Sequence, residues 1–211
     1  MALDVTPIVV GSGHASHVDG HDPVAASIDD QPLVDRAAVA AARGTRTDPV
    51  LTARNAAHAD RVTGAVSGVT PVSARIPEDE PAGAADAAAE VAAAIGAVET
   101  PWTFVCGGDM PWLSPRAIRL LGERAARLSP AGVVPLSDGR PEPLHGVYRT
   151  ADLERALANA CPATTLRGVV ERLSPLVTVP VTHADDALRQ SLADADEHAE
   201  LLGLGAVRDR R

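Results

Sequence analysis

The stretch from Thr100 to Pro115, TPWTFVCGGDMPWLSP, limits the possible folds more than any other part of the chain. Trp102 to Cys106 is a compact apolar run, short enough for a buried strand and bounded by turn residues. Gly107 and Gly108 let the backbone turn sharply, which leaves Asp109 at the strand's carboxyl end. Ser114 suits a helix N-cap and Pro115 the first helical position, so a helix is predicted from Pro115 to about Leu128. Open α/β sheets bind ligands at such strand ends, beside helix starts. A lone loop aspartate would cap its own turn. The flanking strand, glycines and capped helix make Asp109 a candidate metal or substrate ligand instead.

The rest of the chain alternates in the same way. Val5 to Val10 reads as a strand and Gly11 to Asp22 as a loop rich in glycine and histidine. Pro32 to Arg43 reads as an amphipathic helix, Pro49 to Ala53 as a strand, and Ala56 to Thr63 as a short helix. A strand over Val69 to Ala74 and an Ala-rich helix over Ala84 to Ile95 precede the central stretch. After it come a strand at Gly132 to Leu136, a turn at Ser137 to Pro141 and an extended segment at Pro143 to Tyr148. Helices are predicted at Ala151 to Ala160 and Thr165 to Leu173, and strands at Leu176 to Val181 and Leu192 to Asp196, with a closing helix at Glu197 to Leu202. This alternation implies an α/β fold with a mostly parallel sheet covered on both faces. One domain over residues 1–206 is expected, with 207–211 a frayed, charged tail.

Charge narrows the function classes. Asp and Glu number 28 against 19 basic residues, every one of them arginine, for a net charge of -9. That balance disfavours a general nucleic-acid surface and suits a protein working in concentrated salt, where screening removes self-repulsion. No apolar run approaches the length of a membrane span, and no basic segment precedes an apolar one at the start, so a cytoplasmic protein is expected. Cys106 and Cys161 lack metal-ligand spacing and read as small core or near-core residues.

Four further groups of residues could carry chemistry. Gly11, Gly13 and Gly20 allow backbone amides to converge on an anion, although the loop matches neither a dinucleotide fingerprint nor a Walker loop. His14, His17 and His21, with Asp19 and Asp22, are either metal ligands or loop histidines that meet solvent or phosphate. Asp194 and Asp196 would share one side of a strand, where two like charges need a cation or a proton; the alternative is an Asp-rich helix entry. Should they approach Asp109, the three form a hard-metal site of the Mg²⁺ sort. In Asp138 to Arg149, DGRPEPLHGVYR, His145 is either a pocket residue or a buried structural one.

Taken in order, these segments resemble the MobA-type molybdenum cofactor guanylyltransferases of the nucleotidyltransferase superfamily. FVCGGDMPWLSP is similar to that family's strand-end CDMP segment, with Asp109 at its metal-binding aspartate. DGRPEPLHGVYR followed by TTLRGVVERL, DADEHAEL near the end, and QPLVDR at Gln31 to Arg36 resemble three further family segments. In the first loop Gly13, Gly20 and Asp22 match, while His17 and Pro23 stand where the family has Arg and Lys.

The resemblance implies a Rossmann-like three-layer nucleotidyltransferase fold and transfer of GMP from GTP to the molybdopterin cofactor, releasing pyrophosphate. It implies nucleotide contacts from Gly11, Gly13, His17, Gly20, Asp22, Arg54, Asn55 and Asp109, with Asp109 as the catalytic residue. Mg²⁺ or Mn²⁺ would lie on Asp109, Asp194 and Asp196, and the acceptor against Leu144, His145 and Tyr148. Implied partners are GTP, the molybdopterin cofactor, and molybdoenzymes or other cofactor-biosynthesis proteins. The protein would act as a monomer or small homo-oligomer. The exchanged loop cations leave two other readings open: a catalytically impaired relative that binds nucleotide or pterin or assists a true transferase, and a sibling transferase with another nucleotide or acceptor.

Overall fold

Strand and helix alternate from residue 50 to residue 137 in the computed structural model, which describes residues 3–12, 26–70, 73–75, 86–181, 186–192 and 208–209. The first half holds β1 (Val5–Val10), β2 (Ala26–Ile28), β3 (Gln31–Pro32), α1 (Leu33–Thr45), β4 (Val50–Thr52), α2 (Ala56–Ala65) and β5 (Ser73–Arg75). Next come α3 (Asp86–Ile95), β6 (Trp102–Gly107), α4 (Pro115–Leu128), β7 (Gly132–Ser137), β8 (Arg140–Pro141) and β9 (His145–Arg149). The chain continues through α5 (Thr150–Ala158), α6 (Leu166–Val170), β10 (Leu176–Pro180), α7 (Asp186–Leu192) and β11 (Arg208–Asp209).

The main sheet runs β10-β7-β9-β6-β1-β4-β5, with β8 alongside β7. β1 pairs in parallel with β4 and β6, β4 with β5, and β7 with β10. β9 runs antiparallel to both β6 and β7. The sheet is therefore mostly parallel, as alternation implied, with one reversed strand joining its two parallel parts. Central β1 and β6 are buried along their whole length, which is why both read as continuous apolar runs.

Alternating residues feed two cores. Val9, Phe104 and Cys106 pack with Ala37 and Ala41 of α1 and Ile118 and Leu121 of α4. Ile8, Val10 and Val105 face the other way, onto Val91 and Ile95 of α3 and Leu153 and Leu157 of α5. Helices on both faces make the three-layer arrangement that buries a parallel sheet. No described helix is long and apolar enough to cross a membrane.

Several expectations change. α4 has the predicted bounds, because the Ser114 hydroxyl accepts the Ala117 amide and Pro115 opens the first turn. Val69 and Thr70, expected in a strand, lie outside one; 71–72 are not among the described residues, and β5 is Ser73–Arg75. Leu192, expected to start a strand, ends helix α7 instead, and 193–207 lie outside the described residues. The expected tail is not frayed throughout: Arg208–Asp209 pairs antiparallel with Ala26 and Ser27, adding a strand to the β2–β3 hairpin. That hairpin turns through Asp29 and Asp30, both left-handed at φ 50° and 64°, a conformation aspartate adopts more readily than most residues.

Candidate nucleotide site at the strand ends

The carboxyl ends of β1, β4 and β6 lie side by side, and their backbones are tied together there. The Gly11 amide donates to the Thr52 hydroxyl oxygen at 3.1 Å, across from β1 to β4. On the other side, the Gly108 amide donates to the Val10 carbonyl at 2.8 Å, across from β6 to β1. The chain thus leaves the sheet at a fixed point between two neighbouring strand ends. A side chain at position 11 has no space: its Cβ would lie 2.2 Å from the Thr52 carbonyl oxygen. Ser12 follows, nearly buried. Gly13, His17, Gly20 and Asp22, like His14 and His21, lie outside the described residues.

Beyond β4, Ala53 donates to the Arg75 carbonyl at 2.9 Å and the chain turns into α2. Asn55 is the N-cap of that helix, its side-chain oxygen accepting the His58 amide at 2.9 Å. The Arg54 amide donates to His58 Nδ1 at 3.2 Å, which orients the half-buried Arg54 at the strand end. Asn55 therefore has a structural duty besides any contact with a ligand.

Asp109 follows the end of β6 and is partly exposed. Burial, and secondarily the charge of Asp109, push the Cys106 thiol far above its usual range, so Cys106 is no nucleophile at neutral pH. The segment after Asp109 is well braced. The Arg36 guanidinium lies 5.4 Å from the Trp112 ring centroid. The Ser114 amide donates to the Ser191 hydroxyl at 2.8 Å, and that hydroxyl is 3.3 Å from His145 Nε2. His145 also meets Phe104 edge to face at a centroid distance of 5.8 Å.

The three residues expected to contact an acceptor are core residues in this structure. Leu144, His145 and Tyr148 are only 4%, 0% and 0% exposed. The Tyr148 hydroxyl donates to the Pro143 carbonyl at 2.8 Å, and burial, then the nearby Glu142 charge, holds its pKa well above the ordinary value. As the chain stands, none of the three offers surface to a ligand. Their place is under the site, where β9 supports β6 through pairs such as Cys106 with His145.

Asp194 and Asp196, the other expected metal ligands, lie outside the described residues. Among the described residues no group of three or more His, Cys, Asp or Glu side chains could hold a metal ion. Asp109 by itself still fits a hard cation, because Mg²⁺ commonly takes one or two carboxylates and completes its shell with water and phosphate oxygens. Thr52 and Glu90, both fully buried at this end of the sheet, were not singled out by sequence reasoning. The sequence signal at Thr52 is a polar residue closing an apolar strand, PVLT, just ahead of Arg54 and Asn55.

Comparison with known proteins agrees with this arrangement. Residues 8–196 match the family described as the MobA-like NTP transferase domain. A protein of Natronomonas pharaonis named "Probable molybdenum cofactor guanylyltransferase" is 30% identical over 173 residues, covering 81% of this chain and 80% of its own. The crystal structure of molybdopterin-guanine dinucleotide biosynthesis protein A from Archaeoglobus fulgidus superposes with a TM-score of 0.69 at 18% identity, covering 94% of this chain and 98% of that one. A Mycobacterium tuberculosis H37Rv protein solved as a complex with manganese gives a TM-score of 0.62 at 16% identity, over 95% of this chain and 98% of its own. The two structures speak for the fold; the family match spans nearly the whole chain. The chain belongs to the MobA-like NTP transferase domain family.

Proposed function

We propose that the protein is a molybdenum cofactor guanylyltransferase, moving GMP from GTP to the molybdopterin cofactor. The observation that carries the reading is that the Gly11 turn and Asp109 follow the adjacent ends of β1 and β6, tied by the Gly108–Val10 hydrogen bond, in a chain whose Natronomonas relative is named "Probable molybdenum cofactor guanylyltransferase". GTP would lie over the loop that begins at Gly11, with Gly13, His17, Gly20 and Asp22 along it and Arg54 and Asn55 at the edge of β4. Asp109, with Asp194 and Asp196 by the resemblance, would hold Mg²⁺ or Mn²⁺, which when bound neutralises charge on the phosphates.

In the transfer, an oxygen of the acceptor's terminal phosphate forms a bond to the α-phosphorus while the bond from that phosphorus to pyrophosphate breaks. No protein nucleophile is needed, in keeping with a buried, protonated Cys106. The chain's part is alignment and charge compensation. We assign Arg54, half-buried just past β4, to take over from the Arg and Lys that His17 and Pro23 replace.

GTP labelled at the α-phosphorus, incubated with the protein, Mg²⁺ and molybdopterin in high KCl, tests this: label should pass to the pterin as pyrophosphate appears. Absence of both products, with GTP bound, would favour the second reading, a binding protein that has lost turnover. His17 and Pro23 in place of two cations are the observation behind that alternative. Transfer from CTP in preference to GTP would favour a sibling transferase.

A further inference from the structure

We infer that Glu90 is a positioning residue for the nucleotide loop: its buried carboxyl group aims the Thr52 hydroxyl so that this hydroxyl receives the Gly11 amide and sets where the loop leaves the sheet. This rests on the reading that the loop beginning at Gly11 carries the nucleotide.

Glu90 lies in α3 at 0% exposure, among Ala88, Val91 and Ala94, which are also buried. A glutamate that deep is rare, and an apolar side chain would fill the same space without the cost of burying a polar group. One carboxyl oxygen, Oε1, has no hydrogen-bond partner among the described residues, so the group is not there to complete a polar network. The other, Oε2, accepts a hydrogen bond from the Thr52 hydroxyl.

That bond decides a rotor. The Thr52 hydroxyl has one proton and two places to send it: Glu90 Oε2, or the Val9 carbonyl at 3.4 Å. Once the proton goes to Glu90, the oxygen's lone pairs are left for the Gly11 amide, 3.1 Å away. Gly11 is then held from β4 while Val10, the residue before it, is held from β6 by the Gly108 amide at 2.8 Å. Gly108 directly precedes Asp109. Glu90 thereby acts at one remove on the spacing between the loop's first peptide and the carboxylate on the next strand. It touches no substrate, being wholly covered.

Hydrogen exchange at the Gly11 amide, followed in the full-length protein, separates this role from plain packing. Glu90→Leu keeps the volume and removes the acceptor; Thr52→Val keeps the shape and removes the hydroxyl. Each should speed Gly11 exchange about tenfold, as loss of one hydrogen bond implies, while the Gly108 amide keeps its protection. Glu90→Gln, which retains an oxygen acceptor, should restore Gly11 protection. The double variant Glu90→Leu/Thr52→Val should be no worse than either single one. In turnover, the KM for GTP should rise about tenfold in Glu90→Leu with the melting temperature held. Unchanged Gly11 protection in a folded Glu90→Leu protein overturns the inference, as does loss that Glu90→Gln fails to restore. If the parent protein does not use GTP, the proposed activity fails, yet the exchange result still decides whether Glu90 sets the loop's exit.

Discussion

Gly146→Ala is the substitution whose effect the packing defines most sharply. Tyr148, the chain's single tyrosine, lies flat over two glycines: Gly146 of its own strand and Gly132, its register partner on β7. A Cβ at position 146 would lie 2.2 Å from the Tyr148 hydroxyl oxygen and 2.3 Å from Cζ. The ring must lift off the sheet, and the hydroxyl then loses the Pro143 carbonyl it holds at 2.8 Å. Complete expulsion forfeits burial of roughly 200 Å² at about 25 cal/mol per Å², or ~5 kcal/mol. A partial shift costs about 1–3 kcal/mol in overpacking, plus about 1 kcal/mol for the hydrogen bond. We expect a loss near 3 kcal/mol, seen as a fall of roughly 6–12 °C in the melting temperature of a domain this size. Tyr148→Phe removes the hydroxyl alone and should cost about 1–2 kcal/mol, with the acceptor's KM unchanged. A Gly146→Ala protein as stable as its parent would refute this packing. Tyr148→Phe that raises the acceptor's KM at parental stability would return Tyr148 to the acceptor site.

Three other predictions test separate parts of the structure. Asp35, 3% exposed, accepts the Ser67 and Gly68 amides at 2.8 Å each and the Gln31 side chain at 2.6 Å; Asp35→Ala should cost about 3 kcal/mol in thermal or urea unfolding, and Asp35→Asn clearly less. Cys106 is fully buried with its thiol pKa raised, whereas Cys161 is exposed, so a thiol reagent at pH 7–9 should label one cysteine of the native protein and both after unfolding. Two labelled thiols in the native state would contradict the burial of β6. With a net charge of -9 the melting temperature should climb as KCl is added, and a flat or falling midpoint would dismiss the expectation of a salt-rich setting.

How far the sequence could be read depended on whether the governing chemistry was local. β6 and α4 were legible because an apolar run, a serine N-cap and a proline at the first helical position act within a few residues of one another. Asp109 could be placed at a strand end for the same reason. The β2–β3 hairpin escaped notice: its strands are three and two residues long, and its turn is Asp29-Asp30 where glycine is the usual signal. Alternation showed that His145 to Arg149 is extended but carried no information on direction, and β9 proved antiparallel. Tyr148 looked like a site residue by resemblance; its core role rests on packing against Gly132 of the neighbouring strand as well as Gly146 of its own. The Glu90–Thr52 bond joins residues 38 apart in sequence, beyond any local pattern.

Asp109→Asn, with pyrophosphate release from GTP and molybdopterin followed under saturating Mg²⁺, tests the central claim most directly. The account predicts a rate at least about a hundredfold below the parent's, because the proposed ligand to the divalent cation is weakened, with the melting temperature preserved because Asp109 stands at the end of β6 rather than within the core. Pyrophosphate released at the parental rate by a folded Asp109→Asn protein would contradict it.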